Sequence, residues 1–365
     1  MSRPAKIIID LAAIQANCRL AQTLAPYSKT VAVVKADAYG HGAAEVTKAL
    51  ESQVEMFTVS CLEEALVLRE NGLRKPILLL EGCFDISELK IAIDNQCELT
   101  LHSRLQLEQL LTTQLDTPIN IWLKVDTGMH RLGFLPQEVG SIYAELVASS
   151  NVNNIVLMTH FAHADDMSGA HTAMQISRFE TCIAPIVDDA NQKVELSMAN
   201  SAAILAWHQT RVDWNRPGIM LYGLSPFAEP IDEAIKLIPA MSFESQVIAL
   251  RKISAGESVG YGCTWTAQRP SIIATIAVGY GDGYPRSAKS GTPILINGHR
   301  VPLAGRVSMD LISVDVTHIP NVNIGDKAIL WGKDLSANEV AIWADTIGYE
   351  LVTRMPRRAT RHFVS

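Results

Sequence analysis

Over its first two-thirds the chain keeps passing from a short apolar, β-branched run to a longer stretch with helical spacing. That alternation limits the fold more than any other feature of the sequence. The runs predict strands over Val31–Lys35, Met56–Ser60, Pro76–Leu80, Glu98–Leu101, Ile119–Val125, Ile155–His160, Val194–Met198 and Val212–Trp214. Stretches such as Ala43–Ser52, Leu62–Asn71 (closed by Gly72) and Ala170–Ala190 lie between them with helical spacing. A run like VAVV has no polar face, so it suits a strand covered on both sides, as in a parallel sheet. About eight such steps in roughly 220 residues match the size of a (β/α)8 barrel. An open doubly wound sheet is the alternative, but it normally uses fewer strands, and no GxGxxG follows the first run. Ahead of the barrel, Lys6–Ile9 reads as a lead-in strand and Asp10 as the N-cap of the next helix.

Near Pro230 the texture changes. SFESQVIAL, SIIATIAVGY, TPILING and KAILWG follow one another closely with turn residues between them. The expected organisation is an α/β chain: a barrel domain over 1–230 and a mostly-β domain over 231–365, with the first few residues packing on the second domain. The net charge of −7 argues against nucleic acid or an anionic membrane as partner. The N-terminal stretch lacks the features of a signal peptide and no segment is apolar for long enough to span a bilayer, so a cytoplasmic location is expected. The six cysteines form no CxxC pair and are expected to be reduced; the ten histidines show no HxxxH or HExxH spacing, and no metal site is expected.

A barrel of this kind keeps its chemistry at the carboxyl ends of its strands. Lys35 follows VAVV directly, next to an apolar interior that favours the neutral, nucleophilic amine. Asp37 and Tyr39 follow. Lys124, Asp126 and Arg131 lie after the Ile119 run; His160, His163 and Asp165 after the Ile155 run; Asn200 and Ser201 after the Val194 run; Arg216, Gly218 and Tyr222 after the last. Singly, each has an ordinary role: a core histidine, a surface ion pair, a helix N-cap. Jointly they converge on one mouth. A helix headed by Ser201 and the small Gly218 would both suit an anion. In the second domain three stretches stand out: VGYGCTW with Tyr261, AVGYGDGYPR with Tyr280, Asp282 and Tyr284, and AGRVSMD with Met309. The basic cluster Arg354–Arg361 reads as a solvated or interface face.

VAVVKADAYGHG, KVDTGMHRLG, THFAHAD, ANSAA, RPGIMLYG, VGYGCTW, GYGDGYPR, AGRVSMD and GYEL, in this order, resemble the alanine racemase family over nearly the whole chain. The resemblance implies a homodimer with shared active sites and pyridoxal 5′-phosphate (PLP) as cofactor. It implies two-base proton transfer at Cα of a PLP aldimine, interconverting L- and D-alanine and supplying D-alanine for peptidoglycan. On that reading Lys35 holds PLP. Tyr39, Ser201, Gly218, Ile219 and Tyr349 bind its phosphate with Asn200 close by, His160 lies against the ring, and Arg216 faces the pyridine nitrogen. Arg131 reaches the substrate carboxylate, and Lys124 matches a lysine that is carbamylated in many members. Tyr261, the opposite-face base, and Met309 come from the partner, and Tyr280 and Tyr284 lie near the substrate entry. Two positions depart from the pattern: Asp37 where Asn is common and Ser308 where Cys is common. Serine or broad-specificity racemisation, a basic-amino-acid decarboxylase and a non-enzymatic PLP-handling protein are the rival readings.

Overall fold

The computed structural model describes residues 3–189 and 193–365. Eight parallel strands close into a barrel: Lys29–Val33, Met56–Val59, Ile77–Leu79, Cys97–Leu101, Ile119–Lys124, Val152–Met158, Glu195–Ser197 and Trp214–Asn215. Each lies close to a predicted run. The helix expected over Ala170–Ala190 is described over Ala170–Asp189, and Ala190 lies outside the described residues. Inward-facing side chains, among them Val31, Met56, Leu78, Trp122, Val156 and Trp214, fill the barrel. The outward faces join the helices in one continuous core that also runs into the second domain.

Asp10 caps the first helix, Leu11–Leu24, by accepting from the Ala13 amide at 2.9 Å. The strand before it, Lys6–Asp10, belongs to the sheet of the second domain. It pairs antiparallel with Met241–Ile253 and parallel with Thr360–Val364. The sheet continues through Lys327–Trp331, Pro293–Ile296 and His299–Pro302 on one side, and through Ser271–Ile276 and Ile312–Asp315 on the other. The chain therefore opens in the second domain, builds the barrel and returns.

One segment departs from its expected form. The strand predicted to reach Lys35 ends at Val33, and residues 36–39 wind left-handed, with φ of 53° at Ala36, 55° at Asp37, 54° at Ala38 and 52° at Tyr39. None of the four is glycine, and this region costs roughly 1–2 kcal/mol per residue. Outside contacts hold it. Glu64 accepts from the Ala36 amide at 2.7 Å, Asp37 accepts from the Ala43 amide at 2.8 Å, and Arg361 pairs with Asp37 at 3.2 Å and donates to the Gly40 carbonyl at 2.8 Å.

Candidate active site

The carboxyl ends of the barrel strands surround a cavity of about 640 Å³. Lys35, Tyr39, Lys124, Arg131, His160, Asn200, Ser201, Arg216, Gly218, Ile219 and Tyr349 all line it. Burial, followed by the charge of Arg131, lowers the pKa of Lys35 and favours its neutral form. Lys124 ends its strand 8 % exposed, and burial, then Arg216 and Arg131, bring its pKa down to about 8. His160 is held neutral, first by burial and then by Arg216. Arg216 is fixed by three oxygen acceptors: the Ser197 hydroxyl, the Thr159 carbonyl at 2.6 Å and the Met198 carbonyl at 3.2 Å. Burial lowers its pKa to about 10, still above neutrality. Arg131 is exposed toward the cavity.

At the last two strands the backbone forms a tight cradle. Asn200 caps the helix Ser201–Ala206 by accepting from the Ala203 amide at 3.1 Å. The Ser201 hydroxyl accepts from the Gly218 amide at 2.8 Å and the Met220 amide at 3.3 Å. A Cβ on Gly218 would lie 2.9 Å from the Tyr39 hydroxyl, so a larger residue there would push the phenol aside. Tyr39 stacks on Tyr222 with ring centroids 5.0 Å apart, and burial pushes its pKa up to about 12. Tyr222 in turn packs against the buried His41 ring at 4.5 Å.

Three expected site residues lie elsewhere. Tyr261, Met309 and Tyr280 are 72 %, 52 % and 39 % exposed, and none lines the cavity. Tyr284, expected near the entry, is instead a core residue, 1 % exposed and stacked on Trp331 at 6.2 Å. The basic cluster is a largely solvated face, with Arg354, Arg357 and Arg358 exposed and Arg361 half-buried, but Arg354, Arg358 and Arg361 are also paired. Arg354 pairs with Glu350, Arg358 with Asp282 and Asp310, and Arg361 with Asp37. Glu81 lines the cavity and was not singled out from the sequence. It follows the apolar run Ile77–Leu80, and its carboxylate accepts from the Ser60 hydroxyl at 2.7 Å. The position one step beyond a strand was the signal available for it.

The family model described as alanine racemase, N-terminal domain matches residues 9–226, and that described as alanine racemase, C-terminal domain matches residues 240–363. An alanine racemase of Pseudoalteromonas atlantica is 50 % identical over all of both chains. A catabolic alanine racemase of Pseudomonas putida is 45 % identical over 97 % of this chain and 98 % of that one. The crystal structure of the biosynthetic alanine racemase from Pseudomonas aeruginosa superposes with a TM-score of 0.95 at 45 % identity, covering 100 % of each chain.

Proposed function

The chain belongs to the alanine racemase family, and from that premise, as an isomerase interconverting L- and D-alanine, we propose that it uses PLP with Lys35 and a partner subunit's Tyr261 as its two acid/base groups. The observation that carries the assignment of residues is the cavity. It sets an amine of lowered pKa beside a close-packed cradle, among four cations, Lys35, Lys124, Arg131 and Arg216, that outnumber the two lining carboxylates, Glu81 and Asp165. These residues fit PLP. The cradle of Tyr39, Ser201, Gly218 and Ile219, with Asn200 and Tyr349 beside it, suits a phosphate, and the neutral His160 ring offers a flat face. When bound, PLP supplies an electron sink for the carbanion formed at Cα.

Racemisation needs a proton removed on one face of Cα and returned on the other. Lys35 takes it from the D-isomer, and Tyr261 of the partner subunit takes it from the L-isomer. A phenol ionises near pH 10, so a tyrosine base needs positive neighbours. The mouth provides them in Lys124, Arg131 and Arg216. Tyr261 and Met309 are exposed and away from their own cavity, which supports a homodimer in which each copy completes the other's site. Arg131 offers its guanidinium to the substrate carboxylate. Arg216 stays protonated and so denies a proton to a ring nitrogen placed against it, which disfavours transamination. Lys124, with a pKa of about 8, is about one-tenth neutral at pH 7, and that fraction can add carbon dioxide and release a proton to solvent, becoming a carbamate anion beside Arg131.

The test is proton exchange at Cα in D2O, followed by NMR and chiral chromatography. Wild type should invert both isomers. Tyr261→Phe should lose L-to-D inversion while still exchanging the D-alanine proton, and Lys35→Ala should lose both. A wild type that binds PLP but neither exchanges nor inverts alanine rejects the reading and directs attention to serine, basic amino acids or cofactor handling.

A further inference from the structure

Asp282 is a fully buried carboxylate that no step above uses. It ends the short turn Tyr280–Asp282, and two arginines far apart in sequence enclose it. Arg3 donates from Nε to Oδ1 at 2.8 Å and from Nη2 to Oδ2 at 2.5 Å, and Arg358 Nε lies 3.1 Å from Oδ1. The Gly279 amide donates to Oδ2 at 2.9 Å. The same arginines grip a second turn: Arg3 Nη2 donates to the Asp310 carbonyl at 2.9 Å, and Arg358 pairs with the Asp310 carboxylate. The backbones of the two turns are joined as well, from the Tyr280 amide to the Ser308 carbonyl at 3.0 Å and from the Gly281 amide to the Met309 carbonyl at 2.9 Å. The fit is close. A Cβ on Gly279 would come within 2.3 Å of the Ser308 carbonyl oxygen, and one on Gly281 within 2.6 Å of Arg358 Nη1. What this clamped pair of turns holds out to solvent is Tyr280 and Met309.

We infer that Asp282, Arg3 and Arg358 are positioning residues that aim Met309 and Tyr280 at the substrate in the partner subunit's cavity. The inference rests on the reading that these two residues complete the partner's site. Met309 would act there through its backbone amide, whose direction no side chain of its own can adjust. The direction must come from the packing of the turn. A planar, two-pronged guanidinium on a buried carboxylate fixes angle as well as charge, which a point charge does not. A carboxylate held less squarely is bound less tightly in ground and transition state alike, so the loss falls on KM rather than kcat.

The experiment compares holoenzyme carrying Arg3→Ala, Arg3→Lys or Arg358→Ala with wild type. It measures kcat and KM for both isomers, the Kd of acetate as a carboxylate probe, hydrogen exchange at residues 279–283 and 306–311, and Tm. Arg3→Ala should raise KM and the acetate Kd together by roughly tenfold, the weight of a charge-assisted hydrogen bond. Exchange at both turns should quicken while kcat stays within about twofold. Lysine, which keeps the charge but not the fork, should recover part of the loss. A fall in Tm with KM, acetate affinity and exchange at the turns unchanged overturns the inference and leaves an ordinary structural ion pair. A wild type that binds no acetate overturns the proposed site itself, and this inference with it.

Discussion

At the amino ends of the barrel strands, Lys29 pairs with Glu195 at 2.6 Å and lies 4.5 Å over the Trp214 ring, while Glu98 accepts from Asn120 at 2.8 Å and from Trp122 at 2.7 Å. At the carboxyl ends, Lys35, Lys124, Arg131 and Arg216 face one cavity, and no carboxylate among the described residues forms an ion pair with them. The same residue types build both ends, but only at the floor does a lysine have a carboxylate within ion-pair distance. The difference teaches where the molecule holds stability and where it gives stability up. A matched end adds to the fold. An unmatched one opposes it, and persists because cations that lack partners can take an anionic substrate and an anionic cofactor.

The sharpest way to break this comparison is to remove one lysine from each end. Lys35→Ala should abolish alanine turnover by about 10⁴-fold or more with little change in Tm, measured by chiral chromatography and thermal unfolding. The next effect reverses the usual sign. Lys124 holds its charge at a pKa near 8 rather than 10.5, so it withholds up to about 3 kcal/mol at neutral pH. Lys124→Met should therefore raise unfolding stability by about 1–3 kcal/mol in denaturant titrations without carbon dioxide, while turnover falls. Behind the mouth, His41 stays neutral in the fold down to about pH 4, against 6.5 when unfolded. Between those values the unfolded chain binds more protons. Stability should thus fall by about 3 kcal/mol as pH drops from 6.5 to 4, and denaturant midpoints across that range will check it. On the floor, Glu98→Ala leaves the Trp122 and Asn120 donors unpaired and should cost about 2 kcal/mol with turnover intact, whereas Glu98→Gln should cost less. Lys29→Ala, at an exposed pair, should cost about 1 kcal/mol or less. A floor variant that lost turnover without losing stability would end the distinction.

The barrel was legible because strands buried on both faces write themselves as unbroken apolar runs, and the polar residue ending each run marks the mouth. Lys35, Lys124 and His160 could be read that way. Residues 36–39 could not. Ala-Asp-Ala-Tyr does not announce a left-handed turn, since two of the clamps on it, Glu64 and Arg361, are distant in sequence. For the same reason the pairing of Arg358 and Arg361 could not be read: their carboxylate partners lie in other turns. Tyr284 shares a glycine-rich motif with Tyr280, yet one ring turns inward onto Trp331 and the other outward, a choice made by the sheet beneath them.

The winding of residues 36–39 also bears on how the protein is made. Arg361 is translated 321 positions after Gly40, the carbonyl it holds. A ribosome-bound chain that has exposed every barrel strand, but not Thr360–Val364, carries Lys35 on a loop whose costly backbone has lost one of its clamps. Such a stalled chain should show fast hydrogen exchange over residues 36–42 above an otherwise protected barrel. Lys35 would then come into its working position late in synthesis, after the barrel that houses it.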